Sequence, residues 1–228
     1  MPQAASRNGS KNRVLARLAR ADLALLKPHL APVELPVSTR LEMANGRIDA
    51  VYFIERGFAS VVADGPGKRS IEVGIIGREG MTGLALVLGH DRSTHETYMQ
   101  AAGSAQRISA THLRKAMHQS IRLHRSFLRC AHAFFIQTTQ TAVANGRSKL
   151  EERLARWLLM AQDRIGGIEV PLTHRFLAVM LGVHRPIVSV TVQALERKGL
   201  IRAGRQVITI VDRSGLVKMS NGAYLPPD

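Results

Sequence analysis

Arg185, Ser189 and Gln193 stand four residues apart, with His184 and Pro186 flanking the first and Val190 following the second. That spacing lines side chains along one helix face. Arg185 carries the sharpest chemistry, because a guanidinium fork matches O6 and N7 of guanine in the major groove of duplex DNA. The same group also serves as a phosphate contact or a solvated charge, and its type alone does not choose. Val190 could touch only a thymine methyl. Thr173, Arg175, His184 and Arg205 are donors suited to phosphate oxygens, contacts that set register without reading sequence. Each is equally compatible with an ordinary surface position.

These residues need a rigid frame, and the stretch LTHRFLAVMLGVHRPIVSVTVQALERKGLIRAGRQVITIV, Leu172 to Val211, supplies one. Leu177, Leu181, Val188 and Leu195 keep a helical apolar period that Gly182 and Val183 interrupt. The break predicts two helices, Thr173 to Leu181 and His184 to Lys198. Ala178 lets them approach, Gly182 takes the positive φ of the turn, and Val188 plugs the second onto the first, the spacing of a helix-turn-helix. Leu200-Ile201-Arg202, a turn at Ala203-Gly204-Arg205, and Val207 to Ile210 read as a β-hairpin wing. An ordinary helical hairpin is the plainer reading, but the spacings and the wing agree with one another.

The chain has 228 residues, long enough for two domains with cores of their own. Its 32 Lys+Arg against 17 Asp+Glu give +15 and a pI near 11.2, so a polyanion is the expected partner. No run of about 18 apolar residues spans a bilayer, and the first dozen residues lack the apolar core of a secretory signal. Residues 1–12 read instead as a disordered tail. A lone cysteine, Cys130, rules out an internal disulfide and a multi-cysteine metal or iron–sulfur cluster, and fits a reducing cytoplasm. No paired-carboxylate motif, phosphate-cradling glycine loop or nucleophile elbow suggests an enzyme.

Taken in order, Arg13 to Leu26 has near-helical apolar spacing and ends at Pro28, which predicts a lid helix or, less simply, a membrane-surface helix. Short β-rich runs follow at Val33 to Val37, Ala50 to Glu55, Phe58 to Ala63, Ser70 to Ile76 and Thr94 to Ala101. Turn signals sit at Asn45-Gly46, Arg56-Gly57, Asp64 to Gly67 and Gly77. This punctuation predicts an antiparallel barrel or jelly roll. Between two strands, Met81 to Leu88 suggests a short helix whose first amides are free to hold an anion. Helical period returns at Ala110 to Gln119 and Ile121 to Ala144.

In the longer helix Ile121, Leu128, Phe135 and Ala142 lie seven apart, beside a second stripe of Phe127, Ala131 and Phe134. Two apolar stripes let it cover its own barrel and meet a second chain at once, which predicts a parallel or near-parallel homodimer seam; coverage by the barrel alone is the alternative. A hinge is expected at Asn145 to Ser148, with Ser148 capping a helix from Lys149 to Asp163 and Glu151 completing a capping box. Ile168 to Val170 reads as a short strand, Asp212 as the cap of a helix through Met219, and the end of the chain as loose. The fold class is thus α+β: an N-terminal antiparallel jelly-roll barrel (13–119), a central dimerisation helix with hinge (120–146), a winged helix-turn-helix (147–220), and a loose end (221–228).

A barrel containing YFIERGFASV, a long central helix and the segment LTHRFLAVMLGVHR together resemble the Crp/Fnr family of bacterial transcription regulators over roughly Leu23 to Leu216. The resemblance implies a sequence-specific regulator that binds a palindromic operator in double-stranded DNA as a homodimer, with RNA polymerase as a further partner and an effector-sensing or degenerate barrel. Arg185 matches the family's commonest base-contacting arginine. The next position, often glutamate, is Pro186 here, so the operator should differ from the family's best-known ones. Cyclic-nucleotide members hold ribose with a Gly-Glu pair and the cyclic phosphate with Arg-Ser or Arg-Thr. This chain has Gly83-Leu84 and then Arg92-Ser93, so the phosphate pair survives while the ribose acceptor does not. A buried hydroxyl left unpaired costs about 1 to 3 kcal/mol, which argues against a cyclic nucleotide. Haem or metal held by His90, His95, His118, His124 or His132 stays open. So does an alternative role as the cyclic-nucleotide-type regulatory module of an enzyme complex.

Overall fold

The computed structural model describes residues 10–65 and 69–226, without the side chains of Arg69, His174 and Arg175. Two compact units emerge, residues 1–61 with 76–136 and residues 62–75 with 137–228.

The first unit begins with a cap. Asn12 accepts a hydrogen bond from the Leu15 amide at 3.1 Å and donates to the carbonyls of Ile54 and Gly80, both at 2.8 Å. It is fully buried, so the expected tail is ordered at its end, and residues 1–9 lie outside the described residues. The expected lid helix is two: α1 (Arg13–Ala16) and α2 (Arg20–Leu26), which bury Leu15 and Leu26, with Leu18 buried in the turn between them.

Strands β1 (Ala31–Leu35), β2 (Arg40–Glu42), β3 (Ala50–Gly65), β4 (Arg69–Ile76) and β5 (Glu96–Ser109) form one sheet ordered β1-β5-β3-β4, with β2 also on β5. β1 runs antiparallel to β5 with Leu35 opposite Gly103. The turn expected at Arg56-Gly57 does not exist, because β3 passes through it as one strand of 16 residues. Gly57 is there for a close crossing. A Cβ on it would stand 2.5 Å from the Ala101 carbonyl oxygen, and one on Gly103 would stand 1.8 Å from that of Arg56.

Helices α3 (Leu84–Val87), α4 (Ala110–Gln119) and the start of α5 (Ile121–Arg147) complete this unit. Leu123 and Phe127 of α5 are fully buried, and the Phe127 ring lies 5.8 Å from that of Phe53 in a core with Val51, Met81 and Leu113. One core residue is poorly served. Gln100 is 2 % exposed, and neither atom of its amide finds a partner among the described residues. Gln100→Met keeps the shape and removes the unmet polar atoms, so it is expected to stabilise the protein by about 1 to 3 kcal/mol in urea unfolding. A loss of stability would show that the amide is satisfied.

In the second unit α5 stays helical through Arg147, where a hinge was expected. The Ser148 amide still donates to the Ala144 carbonyl, so Ser148 finishes α5 and does not begin the next helix. Lys149 takes the cap of α6 (Leu150–Ile165) instead, its amide donating to Glu152, and Glu151 plays no part in that cap. Trp157 of α6 donates from Nε1 to the buried Glu72 carboxylate of β4 at 2.7 Å. Next come β6 (Glu169–Pro171), α7 (His174–Leu181), α8 (Arg185–Arg197), β7 (Ile201–Gly204), β8 (Val207–Ile210) and α9 (Arg213–Met219). β6, β8 and β7 pair antiparallel in that order.

The chain end expected to be loose is docked as far as Tyr224. Arg156 donates to the Ala223 carbonyl at 3.0 Å, and the Tyr224 hydroxyl donates to Asp163 at 2.6 Å while accepting from Arg213 at 2.9 Å. Burial and the Asp163 carboxylate push the Tyr224 pKa up to about 12.

Candidate nucleic-acid interface

Thr173 starts the site. Its hydroxyl accepts from the Phe176 amide at 3.3 Å, capping α7. At the other end Gly182 adopts φ +62°, and the Val183 amide reaches back to the Ala178 carbonyl at 3.0 Å, which reverses the chain in a tight turn. Arg153 of α6 donates to the Leu181 carbonyl, bracing that turn from beneath.

α8 then presents two unlike faces. Val188, Val192 and Leu195 are 2 % exposed or less and pack inward. His184, Arg185, Pro186, Val190 and Gln193 are exposed on the other side, Val190 at 61 %. Exposed Val190 stands one turn from exposed Ile187, and a β-branched side chain offered outward fits contact with a methyl group. Ser189 is half-buried, and its hydroxyl donates to the Arg185 carbonyl. His184 caps α8 by backbone shape alone. Arg175 sits in the first turn of α7, and its side chain lies outside the described residues.

The wing differs from expectation by one step. Gly204 ends β7, and the turn falls on Arg205-Gln206, with Gln206 taking φ +61°. Arg205 is therefore at the tip and exposed. Sequence reasoning missed Arg202, exposed on β7, and Glu196, whose carboxylate accepts from the Ala203 amide at 2.9 Å and ties the wing to α8. A glutamate seven residues before an amide gives no local signal of that contact.

The residues expected to hold a ligand lie in the other unit. Gly83 and Ser93 converge on the carboxylate of Glu42, whereas Arg92 is exposed and donates to the Asn45 carbonyl at 2.8 Å. Leu84 opens α3 and offers no acceptor. Among the described residues no group of three His, Cys, Asp or Glu side chains stands close enough to share a metal ion. Burial pushes the Cys130 thiol up to about 11, with the Glu79 charge adding to it. Two units above an ordinary value of 9 leave about a hundredfold less thiolate at neutral pH. Native Cys130 is expected to react with a thiol reagent about a hundredfold more slowly than the unfolded chain, and equal rates would contradict its burial.

Residues 152–219 match the Crp-like helix-turn-helix domain. These residues form a Crp-like helix-turn-helix domain, carried on a chain with the Crp/Fnr fold. A crystal structure of a regulator assigned to the crp/fnr family from Eubacterium rectale aligns at TM-score 0.73 and 18 % identity, over 93 % of this chain and 99 % of that one. FixK2 from Bradyrhizobium japonicum gives 0.71 and 16 %, over 83 % and 96 %. The c-di-GMP-responsive global regulator CLP of Xanthomonas campestris gives 0.69 and 16 %, over 85 % and 100 %. At such identities the likeness speaks for the fold. No curated protein matches the chain in sequence. The Crp-like match takes in α7, α8 and the wing, the elements that carry Arg185, Gln193 and Arg205.

Proposed function

We propose that this Crp/Fnr-type chain regulates transcription by binding a palindromic operator in duplex DNA as a homodimer, in the cytoplasm and beside RNA polymerase. The observation that carries the reading is the two-faced α8. Its apolar side is consumed by its own domain, while Arg185, Pro186, Val190 and Gln193 stand outward at the start and centre of the helix. An α-helix presenting such a face fits the major groove. Arg185 is assigned to a guanine, Val190 to a thymine methyl, and Thr173, His184, Arg202 and Arg205 to phosphates.

A dimer follows from the outer stripe of α5. Ile121, Leu128 and Phe135 recur every seven residues and are 66 %, 38 % and 67 % exposed, while Phe127 and Ala131 beside them are buried. A heptad stripe of exposed apolar side chains favours a second helix of the same kind.

Operator duplexes selected from random sequence by the purified protein test the assignment. Arg185→Ala is expected to lose about 1 to 3 kcal/mol on a selected duplex and to relax one base position, with little change on random DNA. Equal loss on both would make Arg185 a phosphate contact. Failure of the wild-type protein to enrich any sequence would end the regulator reading and favour a regulatory module within an enzyme complex.

A further inference from the structure

Donors from two separate stretches of the barrel unit, Gly83 and the segment from Ser93 to Thr97, close on one carboxylate. Glu42 and Thr97 stand opposite each other where β2 pairs with β5, and the Thr97 hydroxyl donates to Glu42 Oε2 at 3.1 Å. The Ser93 hydroxyl lies 3.0 Å from the same oxygen, and the Gly83 amide donates to Oε1. Ser93 and Thr97 are 5 % and 1 % exposed, so their hydroxyls have little access to water. Ser93 Oγ is also 2.9 Å from the His95 carbonyl, and its single proton serves one acceptor at a time.

Amide and hydroxyl donors converging on buried ground are suited to an oxyanion. Here the oxyanion belongs to the chain itself. We propose that Glu42 is a built-in occupant of this seat and closes the barrel to phosphate-bearing ligands. Carboxylate oxygens only accept hydrogen bonds, so a phosphate entering the seat finds its donors engaged and a like charge beside it. Arg92 does not offset that charge within the seat, because its guanidinium is turned to the Asn45 carbonyl. The proposal stands apart from DNA recognition, since it concerns ligand binding measured directly.

Glu42→Ala empties the seat. By titration calorimetry at constant ionic strength, the wild-type protein should show no saturable uptake of inorganic phosphate, and the variant should bind it at least about tenfold more tightly. Adding Thr97→Val to the variant should abolish the gain. Acetate, which restores the missing carboxylate, should raise the melting temperature of Glu42→Ala and leave that of the wild type unchanged. Equal phosphate binding by both proteins, binding by neither, or a gain that survives Thr97→Val overturns the proposal, as does wild-type binding of cyclic AMP that Thr97→Val abolishes. Should Glu42→Ala not fold in chloride buffer, recovery in acetate or phosphate supports the proposal and failure in all three overturns it.

Discussion

Leu128→Glu is expected to give monomers by light scattering and to weaken operator binding by about 10² to 10⁴-fold, the gain that linking two half-site contacts supplies. The side chain is 38 % exposed on α5, so a glutamate there reaches water in the lone chain but would meet its own copy across the proposed seam. Phe135→Glu, one heptad on and 67 % exposed, should do the same with still less strain on the fold. Phe127, by contrast, is fully buried, and its replacement would unfold the barrel unit and report nothing about assembly. An unchanged mass for both variants would refute the seam. An unchanged melting temperature alongside a halved mass would separate loss of pairing from loss of structure.

Gly103→Ala is expected to cost about 3 to 5 kcal/mol in denaturant unfolding, at the severe end of single substitutions. The added Cβ would stand 1.8 Å from the Arg56 carbonyl oxygen, which belongs to the neighbouring strand and cannot rotate aside. β3 and β5 would have to separate at the crossing, breaking their ladder. Gly89→Ala is the matched control. Its φ is +92° but nothing lies within 4 Å of the new carbon, so it carries conformational strain alone, about 1 to 2 kcal/mol. Comparable costs at the two positions would contradict a tight crossing at Gly103.

The helix-turn-helix was legible because its determinants are local. Ala178, Gly182 and Val188 lie within one short stretch, and each acts on a neighbour a turn or two away. The barrel was legible in kind but not in detail. Gly57 reads as punctuation between two strands, and only the arrival of Gly103, 46 positions later, makes it a crossing point within one strand. The wing turn lies one step beyond where its glycine points, because Gln206 and not Gly204 takes the positive φ. Prolines near the chain end suggest a loose segment, whereas Tyr224 meets Asp163 and Arg213 from helices distant in sequence or separate from it. Glu42 was invisible for the same reason: its partners lie 41, 51 and 55 residues away. The Gly83 amide, expected to be free for an anion, instead donates to the Glu42 carboxylate.

Trp157 is the chain's sole tryptophan, and its indole is tethered to one carboxylate on β4. The protein therefore carries an intrinsic optical probe at a single junction, the one between that strand and α6. Its emission colour and quenching follow the packing of this one spot, uncontaminated by other indoles, and so register whether added duplex DNA disturbs the seating of α6 on that strand or leaves it rigid.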